Sequence, residues 1–237
     1  SFSRLDLPIQ DQWPYFAVNA IARARTFIGS LPEVDGSKVG VTGISWGGYL
    51  TCLTAGCDSR YLFAAPVYGC GFLSDGRLVT TDVGNQAAGQ GDGQLIIWFP
   101  PFDSFEVRYC KLDVTIGTAG GIWVDADDRI YLTSARETPG VYRYAPPYPT
   151  SNDAAGGCGK VDGTGAPLAD AITKELFIPA DANIATPNAI VGTAGETFYI
   201  SSVINGVIAE YDRDGRFVRR ILEPPAGETL GPVPYST

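Results

Sequence analysis

Residues 43–48 read Gly-Ile-Ser-Trp-Gly-Gly, and no histidine occurs in the 237 residues. Gly-x-Ser-x-Gly sets a serine on a sharp strand-to-helix turn, where small residues on either side let the backbone bend tightly. Gly43 and Gly47 are those residues, Ser45 is the candidate nucleophile, and the Trp46 backbone N–H is a candidate oxyanion donor. A serine hydroxyl is a weak nucleophile until a neighbouring base takes its proton. In the usual triad that base is histidine, which this chain does not offer. Lysine replaces it in some variants, but Lys38 opens the apolar run that leads to Ser45, so the two stand roughly 20 Å apart along a strand. Asp35 and Asp58 qualify as a triad acid by residue type alone, and both read as turn residues.

Asn188, Asp125, Asp127, Asp128, Asp212 and Asp214 carry the hard oxygen donors that a divalent metal such as calcium takes. Yet "DADDR" and "DRDGR" fall between strand-like runs, where Asp and Gly build turns, and the spaced calcium loop with its terminal Glu is absent. Trp98, Trp123, Tyr131, Tyr142, Tyr144, Tyr199 and Tyr211 could line a sugar-binding channel. At period 2 in strands they read better as packing between sheets. Pro146-Pro147-Tyr148-Pro149 reads as a stiff connection between strands.

The elements that must position these groups change in style near Leu73. Before it, Phe16, Ala20, Ala24, Phe27 and Ile28 give a helical period over Asp11–Ser30. Lys38–Ile44 reads as a buried strand, Trp46–Gly56 as a helix and Tyr61–Tyr68 as a second strand, an order that implies parallel pairing. After Leu73, short strand-like runs dominate: Arg77–Val83, Gln94–Phe99, Gly121–Asp125, Arg129–Ser134, Gly140–Tyr144, Thr197–Val203, Gly206–Tyr211 and Arg216–Leu222. "GGIWVDADDRIYLTSARETPGVYRYAP" and "PNAIVGTAGETFYISSVINGVIAEYDRDG" share one pattern, with "DGRLVTTDVGNQAAGQGDGQLIIWF" a looser copy. Asn152–Gly165, rich in Gly and Asp, reads as a long loop. The fold class expected is therefore mixed: a small α/β segment over residues 1–73, then a mostly antiparallel all-β region over 74–237, a partial propeller of about three blades.

Composition bounds the partners. A net charge of −9 with scattered Lys and Arg argues against nucleic acid. No apolar run reaches the roughly 18 residues of a membrane span, and Ser1–Gln10 lacks the form of a secretory signal, so a soluble chain of unassigned compartment is expected. Cys52, Cys57 and Cys70 read as small core residues; disulfides among the five cysteines are left open. The absence of Met as well as His points to a processed, truncated or artificially joined polypeptide.

Residues 11–73 resemble the α/β-hydrolase family, in its acetylxylan-esterase and dienelactone-hydrolase-like branch, through Asp11-Gln12-Trp13, Pro32-Glu33-Val34-Asp35, "VGVTGISWGGYLT" and "PVYGCGFL". Residues 74–237 resemble part of a β-propeller of the SMP-30/gluconolactonase/NHL kind, through "GGIWVDADDRIYLT" and "GVIAEYDRDGRFVRRIL". The first resemblance implies Ser45 as an ancestral nucleophile. The second implies Asn188, in Pro187-Asn188-Ala189, as a metal ligand. Together they imply hydrolysis of a small-molecule ester or lactone related to carbohydrate. The missing histidine favours the alternative of a non-catalytic binding or assembly module. Neither portion reads as complete, so a fragment or chimera, or an oligomer joined through open strand edges, is also expected.

Overall fold

The computed structural model describes residues 8–44, 46–62, 64–67, 70–83, 92–101, 108–195 and 197–226. The chain divides into two compact units, Ser1–Gly69 and Cys70–Thr237.

In the first unit, helix α1 (Trp13–Ile28) opens with Pro14, whose fixed φ suits a first helical turn, and stops at Gly29. Strand β1 (Val41–Ile44), helix α2 (Trp46–Cys57) and strand β2 (Ala64–Val67) follow, and β1 pairs in parallel with β2. The strand read as starting at Lys38 starts at Val41 instead. Asp35 accepts a bond from the Ser37 N–H and holds Gly36–Lys38 in a short 3-10 turn. A Cβ on Gly43 would run into the main chain of Gly47, so this close approach of β1 to α2 admits glycine. The Arg25 guanidinium bonds the carbonyls of Gly36 (2.6 Å) and Arg60 (3.0 Å), tying α1 to the loops around β1 and β2.

The second unit is mostly β. Its first sheet contains β3 (Cys70–Phe72), β4 (Leu78–Asp82), β5 (Gly93–Trp98) and β6 (Tyr109–Ile116) in an antiparallel meander. The second sheet contains β7 (Ala119–Val124), β8 (Ile130–Ser134) and β9 (Gly140–Ala145). The chain then makes an excursion through β10 (Lys160–Val161) and β11 (Pro167–Leu168), which extend the first sheet beyond β6. It returns as β12 (Thr173–Pro179), the outer strand of the second sheet. The third sheet is β13 (Pro187–Gly192), β14 (Phe198–Ser202), β15 (Val207–Tyr211) and β16 (Phe217–Leu222). These mostly antiparallel sheets resemble propeller blades, and the second unit is a partial propeller-like fold.

Two apolar cores fill the spaces between sheets. One joins Val79, Leu95, Ile97, Cys110 and Leu112 of the first sheet to Ile122, Ile130, Leu132 and Tyr144 of the second. The other joins Tyr131, Val141 and Ile178 of the second sheet to Ile190, Phe198, Ile200, Ala209 and Tyr211 of the third. Alternation along β8 sends Ile130 and Leu132 one way and Tyr131 the other, so one strand serves both cores.

Several expectations need correction. "PVYGCGFL" does not stay together: Cys70–Phe72 pairs with β4 in the second unit. Asn152–Gly165 is not a plain loop, because Asp153 caps a 3-10 turn at Ala154–Gly156 and Lys160–Val161 pairs with β11. Cys57 is exposed, and Cys52 and Cys70 are half-buried, so none is a core residue. Cys110 of β6 and Cys158 of the excursion, both buried, form a disulfide across 48 residues.

Candidate functional site

Ser45 lies outside the described residues. Trp46 is the first residue of α2. Lys38 pairs with Asp35 at 3.0 Å. Asp58 is held by Arg60 through two side-chain bonds of 2.7 and 2.6 Å. That guanidinium brings the Asp58 carboxyl down to about 2, so it behaves as a fixed anion of a turn. Between α1 and α2 lies a cavity of about 650 Å³, lined among others by Pro14, Tyr15, Val18, Tyr49 and Leu53. Its one guanidinium, Arg60, is spent on Asp58, Thr26 Oγ1 and the Ala22 carbonyl.

Asp125 and Asp212 of the second unit work as turn residues. Asp125 accepts from the main-chain N–H of Asp127 (2.9 Å) and Arg129 (2.8 Å), and Asp212 accepts from Asp214 and Arg216 (both 2.9 Å). Asp128 accepts from the Ser74 N–H and hydroxyl, both at 2.6 Å. Asn188 sits on β13, where its main-chain carbonyl accepts from Thr133 Oγ1 at 2.9 Å. No three His, Cys, Asp or Glu side chains among the described residues stand close enough to share a cation.

Two buried charge clusters escaped the sequence reading. Asp113 on β6 accepts from Lys174 Nζ (2.6 Å), Tyr144 Oη (2.7 Å) and Thr115. Burial works to raise the Asp113 carboxyl, but these bonds outweigh it and leave it below its ordinary value. Burial and the facing Asp113 push the Tyr144 hydroxyl far up, so it remains a neutral donor. Lys111 Nζ pairs with Asp162 of the excursion, and that bond holds the Asp162 carboxyl far below its usual range. The Asp113 cluster joins β6 of the first sheet to β9 and β12 of the second, whereas Lys111–Asp162 ties the excursion to the edge of the first sheet.

Among the described residues of the second unit, no further sheet stacks on the outward side of the third sheet. Its inward side packs on the second sheet; its outward side presents Val191, Tyr199, Ser201, Ile208, Glu210 and Leu222, joined in cross-strand register. At one end a cavity of about 490 Å³ is lined by Val203, Gly206, Ile208, Leu222, Pro224 and Pro225. This outward side repeats the side of the second sheet that meets the third. Val191, Tyr199, Glu210 and Arg219 hold the register positions of Trp123, Tyr131, Arg143 and Glu175. Each row ends in an ion pair, Glu210–Arg219 at 2.8 Å and Arg143–Glu175 at 2.5 Å. In the second sheet, Tyr131 is buried against Phe198 with ring centroids 4.8 Å apart. Tyr199, its equivalent, is only half-buried.

The hydroxyls repeat too. Thr81 of β4 donates to the Gly120 carbonyl of the next sheet at 3.0 Å, as Thr133 of β8 does to Asn188. Ser201 of β14 holds the Ala189 N–H as Thr133 holds the Gly121 N–H, but makes no onward bond among the described residues.

No family model matches the chain, and no curated protein matches it. Among solved structures the chain is similar to a gluconolactonase from Xanthomonas campestris, at 14% identity and a TM-score of 0.44, over 68% of this chain and 48% of that one. It is similar also to the calcium-binding protein regucalcin from Agrobacterium tumefaciens, at 14% identity and a TM-score of 0.37, over 66% of this chain and 60% of that one. The chain thus spans about half and three fifths of their lengths. No helix among the described residues is long and apolar enough to cross a membrane. These distant likenesses concern the fold alone, and nothing in the comparisons supports an α/β-hydrolase segment.

Proposed function

We propose that the chain works as a non-catalytic binding and assembly module whose working surface is the outward side of the third sheet. The observation that carries this reading is the repeat of packing positions there, with no further sheet stacked on them among the described residues of the second unit. Val191, Tyr199 and Ser201 stand where Trp123, Tyr131 and Thr133 engage the next sheet. Contiguous apolar surface rimmed by charge is a usual mark of a protein-binding site.

A second reading, hydrolysis of an ester or lactone related to carbohydrate, is favoured by the close approach of Gly43 to Gly47, as a tight strand-to-helix turn requires. With no histidine in the chain, Ser45 would need a base from elsewhere. The test is turnover of p-nitrophenyl acetate and a sugar lactone by the native chain and Ser45→Ala, with and without a chelator. The binding reading predicts background rates in every case. Turnover lost in Ser45→Ala, or lost on chelation, would contradict it.

A further inference from the structure

The outer sides of the first and third sheets, on which no other sheet stacks among the described residues of the second unit, are counterparts, and we propose that a second copy of this chain covers them, the third sheet of each copy packing on the first sheet of the other. This rests on the third sheet being a binding surface and names its occupant.

Within one copy, each contact between sheets joins the same register positions. Gly71, Trp123 and Val191 are equivalent, being paired with Val79, Tyr131 and Tyr199 on the neighbouring strand of their own sheets. Gly71 meets Val124: a Cβ on that glycine would stand 2.6 Å from Val124 Cγ2. Trp123 meets Gly192, where a Cβ would stand 2.5 Å from the indole. Glycine faces a branched side chain at one contact, and the largest side chain faces glycine at the other. Such pairing of small with large is how close-packed layers interdigitate.

The first sheet's residue equivalent to Val124 and Gly192 is Phe72, which pairs with Leu78 as Val124 pairs with Ile130 and Gly192 with Phe198. A second copy would therefore bring Phe72 to Val191. Both are open in the single chain, Phe72 at 61% and Val191 at 49% exposure. Leu78 holds the place of Phe198, so it would meet Tyr199 as Phe198 meets Tyr131. Beside Leu78, Trp98 of β5 is half-buried and donates its indole N–H to Thr80 at 2.8 Å, giving that side of the first sheet an aromatic, hydrogen-bonded floor.

A second copy is the occupant these observations favour because the same molecule carries both halves of the contact. The contact is head-to-tail, so two copies using both sides would close on themselves. Three sheets from each would give a ring of six, within the range over which blades close.

The experiment is sedimentation velocity on the full chain across the micromolar range, with the exposed-site variants Val191→Asp and Phe72→Asp. Circular dichroism checks that each variant folds, and Tyr199→Ala replaces Val191→Asp if it does not. The native chain is expected to sediment as a dimer. Each variant alone is expected to be monomeric, with self-affinity weakened roughly tenfold or more. Mixing the two variants restores one intact pairing of faces, so dimeric mass should return. A native monomer, a dimer that persists in either variant, or growth into larger species with concentration would each overturn the closed pair. A native monomer would leave the binding reading standing, since that reading fails on Ser45-dependent or metal-dependent turnover.

Discussion

Helix α1 and strand β8 both place apolar residues at regular spacing, yet α1 buries none of its side chains and β8 buries all five of its residues. Phe16 and Phe27 of α1 are 60% and 66% exposed. Among the residues of the first unit whose side chains are described, Gly48, Thr51 and Thr54 are buried. Every buried apolar side chain among the described residues, from Leu73 to Tyr211, belongs to the second unit. The contrast teaches that periodicity decides which element forms, whereas burial requires a facing layer of matching shape. The second unit supplies such layers by stacking sheets. In the first unit no apolar side chain among those described is buried.

The largest test of that contrast is Tyr131→Ala. It opens a cavity between the second and third sheets and should cost about 3–5 kcal/mol, read by urea denaturation. A loss below about 1 kcal/mol would mean the sheets are not closely packed.

Asp113→Ala comes next. It strips Lys174 and Tyr144 of their acceptor and should cost about 2–3 kcal/mol, moderated because Lys174 keeps some contact with water. The pH dependence has a fixed sign. The Asp113 and Asp162 carboxyls are lowered in the folded chain, so their stabilisation is fully present above the ordinary Asp value of 3.8 and is lost as pH falls toward their folded values. Acid titration of thermal stability should show this loss in the native chain and a shallower one in Asp113→Ala.

Removing the Cys110–Cys158 disulfide by Cys158→Ala should cost about 2 kcal/mol and expose the excursion between β9 and β12 to limited proteolysis, while α1 and α2 keep their cleavage pattern. The smallest effect should be Phe16→Ala, within about 0.5 kcal/mol, because that side chain is already in water. A loss above about 2 kcal/mol would mean that α1 is covered by a layer it lacks here.

Much of the architecture was legible in the residues. The runs Arg129–Ser134 and Gly206–Tyr211 became β8 and β15 with shifts of one residue, because alternation and turn residues are local signals. Strand β6 escaped because Lys111 and Asp113 break its apolar pattern. Both are buried only because Asp162 and Lys174 reach them from distant segments, which no local window contains. The disulfide joins residues 48 apart and escaped for the same reason. The repeat that produces the candidate surface was visible in the Tyr-bearing strands. That Tyr131 is buried while Tyr199 is only half-buried depends on the order in which sheets stack, and the two strands read alike. Ser45 and Asn188 were legible as motifs. The main-chain carbonyl of Asn188 accepts from Thr133 across two sheets, and Ser45 lies outside the described residues.

The most direct measurement is hydroxyl-radical footprinting of the full chain across protein concentration, with modified residues mapped by mass spectrometry. The account predicts that labelling of Tyr199 and Phe72 falls together as concentration rises, while labelling of Phe16 stays constant. Constant labelling at Tyr199 and Phe72, or protection confined to Phe16, would contradict it.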